Sequence, residues 1–232
     1  MLNLEHRGIS GHSLGELLDK VDDRTATKAI STLQDPVGPP GALIVLRGSL
    51  APDGAIIKPA AATKELLVHE GPALVFESAD DAARRIDDPD LRLTPDHVLV
   101  LRNAGPIGAA MPEAGSMKIP KPQADRGVRD IVRISDARMS GTSYGTVVLH
   151  CSPEGAAGGP LATVRDDDRI RLDVPARRLD LLVDDSELRR RREAWRPSQP
   201  PARGWRRLYA ESVLPASEGA DLAFLTGARA QA

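Results

Sequence analysis

One cysteine, Cys151, occurs in the 232 residues. A lone thiol excludes an internal disulfide framework, and it excludes an all-cysteine zinc or iron-sulfur site built by this chain by itself. Aromatic residues are also scarce, two each of Trp, Tyr and Phe, so a core has to come from Val, Leu, Ile and Ala. No apolar run approaches the roughly 18 residues that a bilayer-crossing helix needs. The opening MLNLEHRGIS has no basic segment followed by an apolar one, so a cytoplasmic setting without a membrane partner is expected. Nor does one sign of charge dominate: 31 Lys and Arg stand against 33 Asp and Glu. That balance supplies no global field for nucleic acid.

What is present suffices for one large domain with appendages, because 41% of the residues are apolar and a chain of this length buries a sizeable core. Near the start, SLGELLDKV (13–21) places Glu16 three residues after Ser13, the spacing of a helix capping box. DPVGPPGA (35–42) then breaks the chain with prolines and glycines, which mark a linker. The main domain is expected from Gly41 onward.

There the pattern changes to short apolar or alternating runs bounded by Gly, Pro and Asp: GALIVLRG, GAIIKP, GPALVFES, DHVLVLRN, GVRDIVRIS, LATVRDDDRIRLDVP and RRLDLLV. These read as strands. DRIRLDV (168–174) alternates with period two and suits a strand wet on one face, whereas ALIVL and VLVL suit burial on both. SADDAARRI (78–86) reads as a helix with an N-cap serine, acids first and arginines last. DDSELRRRREAW (184–195) is either a basic stripe for nucleic acid or, as its acid-first order favours, a solvated helix matched to its own dipole. One more helix follows in WRRLYAESV. No internal repeat or low-complexity stretch occurs in the sequence.

Two segments look specialised. GTSYG (141–145) has the G-x-S-x-G form of a nucleophile elbow around Ser143. Of the histidines, however, His150 is the one that follows Ser143, and it follows too closely for the chain order of a hydrolase triad. His150 is therefore read as structural. The larger cluster SDARMSGTSYG gathers Ser135, Ser140, Thr142 and Ser143 around two glycines. It is either a plain polar turn or an anion-binding concavity for a carboxylate or enolate oxygen. A serine there would act as a base if a nearby cation lowered its pKa. LRNAGPIGAAMPEAGSMKIPKP (101–122) carries one acid, Glu113, which either caps local N–H groups or ligands a hard cation such as magnesium.

Together with GALIVLRGSLAPDGAIIKPAA, CSPEGAAGGPLATVRDDDRIRLDVPARRLDLLVDD and LYAESVLPASEGADLAFL, these segments resemble the C-terminal half of the dihydroxy-acid dehydratase / phosphogluconate dehydratase family. The closing segment is more similar to the sugar-acid branch, the arabinonate and xylonate type. The resemblance runs from about residue 3 to residue 227. It implies a β-rich α/β fold: a swivelling β-barrel domain of the aconitase type flanked by helices, residues 41–232, with a short N-terminal helical segment. Residues 1–40 would be the tail of a preceding domain and a linker.

The implied reaction removes water from a 2,3-dihydroxy acid to give a 2-keto acid. The implied cofactors are Mg2+ and an iron-sulfur cluster. The Glu of the M-P-E motif, a magnesium ligand in the family, falls on Glu113. The first Ser of S-G-T, the proposed base at C2, falls on Ser140, and Thr142 would stand beside it on the substrate. Cys151 matches none of the cluster positions and is read as a buried, inert thiol. The cluster cysteines and the remaining magnesium ligands belong to the N-terminal half of such enzymes, so the expected partners are that half, a hydroxy-acid substrate and, in complete form, further copies in a homo-oligomer. This chain by itself is expected to be inactive. The loop GPIGAAMPE departs from the family's usual G-x-G-A-P-G-M-P-E in having lost its Pro-Gly. A second class of function stays open beside this one: a non-catalytic remnant that binds a hydroxy acid or a partner protein.

Overall fold

The computed structural model describes residues 2–21, 31–32, 34–38, 41–111, 116–140, 144–197 and 199–226. It divides into two units, Met1–Pro40 and Gly41–Ala232. In the first, α1 (Leu14–Leu18) forms where the capping box foretold it: the Ser13 hydroxyl accepts from Glu16 N–H and the Glu16 carboxylate accepts from Ser13 N–H. None of α1 is buried.

In the second unit the apolar runs become eight strands: β1 (Ile44–Leu46), β2 (Gly54–Ile57), β3 (Val68–Phe76), β4 (Val98–Leu101), β5 (Val132–Ser135), β6 (Val147–Ser152), β7 (Arg169–Asp173) and β8 (Arg178–Leu181). They form one mixed sheet in the order β1-β2-β6-β5-β4-β3-β7-β8. The centre, β3 to β6, is parallel and the flanks are antiparallel. The two edges then meet. Arg47, just past β1, donates to the Arg177 carbonyl at 3.0 Å and accepts from Leu179 N–H at 3.1 Å, so the sheet is a nearly closed barrel. Closure of this kind leaves few unpaired edge groups.

Two cores follow from the alternation of side chains. Val98 and Val100 of β4, with Val132 and Ile134 of β5, face the barrel interior, where Ile170, Leu172 and Leu179 complete the packing. Leu99 and Leu101 face outward into a second cluster with Phe76, Ile86 and Met117. VLVL is thus buried on both faces, as its unbroken apolar run implies, and each such side chain contributes about 1.5–3 kcal/mol. Helices cover the outside: α2 (Ala79–Arg85), α3 (Pro106–Ala109), α4 (Lys121–Asp125), α5 (Asp185–Ala194) and α6 (Trp205–Ser212). Two of the four arginines of α5 are paired at home, Arg191 with Asp168 and Glu187 and Arg190 with Glu187, which supports the dipole-matched helix over a nucleic-acid stripe.

Three local expectations change. Val45 of β1 is half exposed, so ALIVL is not buried on both faces. LATV is a 3-10 turn, Pro160–Thr163, because Pro160 starts it and denies the strand a donor. β3 begins earlier than GPALVFES suggests, at Val68, and Gly71-Pro72 marks the point where it leaves antiparallel β7 and joins parallel β4. Gly71 is required there, since a Cβ would lie 1.8 Å from the Asp96 carbonyl oxygen.

Candidate functional site

Because β4, β5 and β6 run parallel, each link between them must leave the carboxyl end of one strand and return to the start of the next. The link after β4 carries Glu113 and the link after β5 carries Ser140, Thr142 and Ser143. Adjacent strands therefore send both specialised segments out from one rim, the end at which open parallel sheets bind ligands.

That rim is stitched by two buried carboxylates. Asp136, the first residue beyond β5, is 1% exposed. It accepts from the N–H groups of Asn103 (3.2 Å), Ala104 (3.0 Å) and Gly155 (2.9 Å), which tie the ends of β4, β5 and β6 together. Glu154, shortly after β6, accepts from Ile107 (3.0 Å) and Gly108 (3.2 Å) in α3. Burial pushes Glu154 up to about 7, against the pull of those two donors, and the Asp136 charge adds to the rise. Burial also pushes Asp136 above the usual carboxylate range.

The same two links also meet on Arg133 of β5, which is 3% exposed. Its guanidinium donates to the carbonyls of Met117 (2.9 Å) and Tyr144 (3.2 Å) and pairs with Asp130 at 3.1 Å. Asp130 also accepts from the N–H and hydroxyl of Thr146 at 2.8 and 2.7 Å. Gly145, the last glycine of the motif, has φ of +111°, and a Cβ on it would lie 1.8 Å from Arg133 Nη2. Its role is close packing on the arginine.

Ser140 is exposed and follows the buried Met139. Glu113, Thr142 and Ser143 lie outside the described residues. The chain after the G-x-S-x-G pattern enters β6 rather than a helix, which removes the strand-turn-helix context of a nucleophile elbow. His150 sits half-buried in β6 at φ of +57° and donates its N–H to Ala137; burial, with Arg138 nearby, lowers its pKa.

A cavity of about 380 Å3 opens beside the rim, walled by Ser78, Asp80, Asn103, Met111, Ser116 and Arg206 among others. Met111 and Ser116 flank the Glu113 segment. Among the described residues no group of three or more His, Cys, Asp and Glu could hold a metal ion. Cys151 is 1% exposed with its thiol pushed up by burial, so it does not suit a cluster. Asp136 and Glu154 already serve backbone donors. The described residues thus fit neither an iron-sulfur cluster nor a complete magnesium site.

Asp136, Glu154 and Arg133 were not singled out by the sequence reading. Their partners lie far away in the chain, and their one local signal is a charged residue beside or inside an apolar strand.

Comparison with known proteins gives the family. The model for the C-terminal region of dihydroxy-acid/6-phosphogluconate dehydratases matches residues 28–220. An L-arabinonate dehydratase of Rhizobium leguminosarum is 51% identical over 83% of this chain and 34% of its own length. A 6-deoxy-6-sulfo-D-gluconate dehydratase of Pseudomonas putida is 48% identical over 99% of this chain and 40% of its own. A dihydroxy-acid dehydratase of Methanothrix thermoacetophila is 39% identical over 94% and 40%. The chain spans well under half the length of these relatives. With most of its residues matched, it belongs to the dihydroxy-acid/6-phosphogluconate dehydratase family, as that family's C-terminal domain.

Proposed function

We propose that the chain is the C-terminal part of a hydro-lyase that converts 2,3-dihydroxy acids, sugar acids foremost, into 2-keto acids. Ser140 takes the proton from C2, the 3-hydroxyl leaves as water, and the resulting enol becomes the keto acid. Thr142 holds the substrate beside Ser140. The observation that carries this reading is the shared rim: two family motifs leave adjacent parallel strands, and Asp136 and Arg133 anchor both. The sugar-acid preference is supported by the higher identity to the arabinonate and sulfogluconate enzymes than to the dihydroxy-acid enzyme. A cavity with both an arginine and hydroxyls in its wall suits a polyhydroxy acid.

Mg2+ and an iron-sulfur cluster would supply the Lewis acidity that such a dehydration needs. Apart from Glu113, their ligands are assigned to the N-terminal half, in keeping with the donor set above. Residues 1–40 are assigned to the tail of that preceding domain. A single free thiol is in keeping with a reducing cytoplasm, and the complete enzyme is taken to be a homo-oligomer.

The test is to express the chain by itself and with its N-terminal half, and to measure iron, magnesium and the dehydration of a panel of sugar acids. The lone chain should be inactive and the mixture active. Activity of the lone chain would overturn the cofactor assignment. Activity of the mixture that survives Ser140→Ala would overturn the base.

A further inference from the structure

We propose that Glu154 is a positioning residue for the Glu113 segment: its carboxylate grips the first turn of α3 and so fixes the point from which that segment leaves the barrel. What the segment does rests on the dehydratase reading above; the grip itself does not.

α3 is four residues long, too short to hold its own geometry, because a single helical turn does not recover the entropy of nucleation. Its N-cap is Gly105, which offers no side-chain acceptor. Glu154 supplies the missing acceptors from a distant part of the chain, one oxygen to Ile107 and the other to Gly108. The fit is close, since a Cβ on Gly105 would lie 2.4 Å from Glu154 Oε2. At its other end α3 stops on Ala110, left-handed at φ of +51°, and the Arg206 guanidinium of α6 donates to the Ala109 carbonyl at 2.9 Å. The helix is thus held at both ends immediately before Met111, Pro112 and Glu113.

The surroundings make Glu154 more than a convenient cap. It is 7% exposed, and the ionisable groups that face it are Asp136 from the end of β5 and Tyr209 from α6. Neither is a cation. α3 and the turn Gly155–Ala157 carry no titratable side chain. An exposed Asn or Ser at the N-cap would hold so short a helix without burying a carboxylate next to another. The buried arrangement fixes α3 to the end of β6 as well as capping it, and that is what positioning requires.

Two variants test this, Glu154→Ala, which removes both acceptors, and Glu154→Gln, which keeps one. Amide exchange is followed in the 232-residue chain. In Glu154→Ala the Ile107 and Gly108 amides should lose about tenfold or more in protection. Glu154→Gln should fall between it and wild type, and Val100 and Ile134 in the barrel should keep their relative order. Unchanged protection at Ile107 and Gly108 in either variant overturns the grip, and Glu154→Gln keeps the test valid if the alanine variant does not fold. In the chain joined to its N-terminal half, Glu154→Gln should lower kcat about tenfold and leave KM within about twofold. An unchanged kcat alongside faster exchange would reduce Glu154 to a structural cap and overturn its positioning role. Should the wild-type assembly dehydrate no acid, the dehydratase reading fails, while the exchange data still decide whether Glu154 holds α3.

Discussion

Asp136 and Arg133, three residues apart on one strand and its extension, each hold both of the same two links. Asp136 takes the N–H groups of Asn103 and Ala104 at the start of the Glu113 link and itself begins the Ser140 link. Arg133 donates to the carbonyls of Met117, midway along the first link, and Tyr144, near the end of the second. Three residues of extended chain span about 10 Å, so the anchors define a short, shared baseline from which both segments project. Two loops fixed to one rigid strand keep their spacing better than two fixed to different elements.

Arg133→Leu should therefore destabilise the domain by about 3–5 kcal/mol, because it strips the cation from a buried Asp130. The Asp130 carboxylate keeps Thr146, but a charge 2% exposed has no water to replace the guanidinium. Urea unfolding should show a lower midpoint at an unchanged slope. Gly145→Ala attacks the same contact from the other side and should destabilise as well, through both its left-handed backbone and the 1.8 Å approach to Arg133. Wild-type stability in both variants would show that this anchor is dispensable.

Asp136→Asn should be milder. The amide oxygen can take the place of Oδ2 and keep Asn103 and Gly155, but its NH2 then faces the Ala104 N–H, which Oδ1 serves at 3.0 Å. One buried donor left unmet costs about 1–3 kcal/mol. The loss should localise: the Ala104 amide should exchange faster while Leu99 and Val100 stay protected.

The barrel strands were legible because their chemistry is local. VLVL and DRIRLDV announce two buried faces and one, respectively, and Ser13 and Ser78 announce helix starts through neighbours three residues away. The early half of β3 was hidden because Gly71-Pro72 looks like a turn, and its need for glycine arises from Asp96, far along the chain. The anchors were hidden for a related reason. Arg133 alternates with Val132 and Ile134 as an outward, solvent-facing residue would, and it is buried by parts of the chain that pack over it, Met117, Tyr144 and Gly145 among them. Ser140 and Glu113 were singled out from motifs, whereas the carboxylates that fix their links became visible through contacts between elements.

Barrel closure depends on Gly48. A Cβ there would lie 2.1 Å from the Leu179 carbonyl oxygen, a backbone atom that cannot swing aside. Gly48→Ala should push β1 away from β8 and weaken the bonds between Arg47, Arg177 and Leu179, at about 1–3 kcal/mol. Amide exchange at Arg47 and Leu179 should rise well above that at Val98 and Val132 in the barrel centre. Equal protection across all four would show that the closure does not rely on this close approach.

Stability should also fall as pH rises through the weakly acidic range. Burial holds Glu154 near 7, compared with an ordinary value of 4.5. A carboxylate whose pKa is raised by folding keeps its proton in the folded state while the unfolded chain has lost it, so between those two values the folded state binds more protons. The unfolding free energy then declines with pH across that window and levels off above it, by about 3 kcal/mol for a shift of this size. Asp136, also raised, acts in the same direction starting from its own lower ordinary value. Urea unfolding at intervals from about pH 4.5 to about pH 8 should show the decline in wild type. In Glu154→Gln the part of the slope that ends near 7 should disappear, because the amide carries no charge to bury. His150, lowered by burial, acts the opposite way below its ordinary 6.5, so the difference between wild type and Glu154→Gln decides: a difference that does not change with pH over this range would mean that the backbone donors of Ile107 and Gly108 outweigh burial and hold Glu154 ionised.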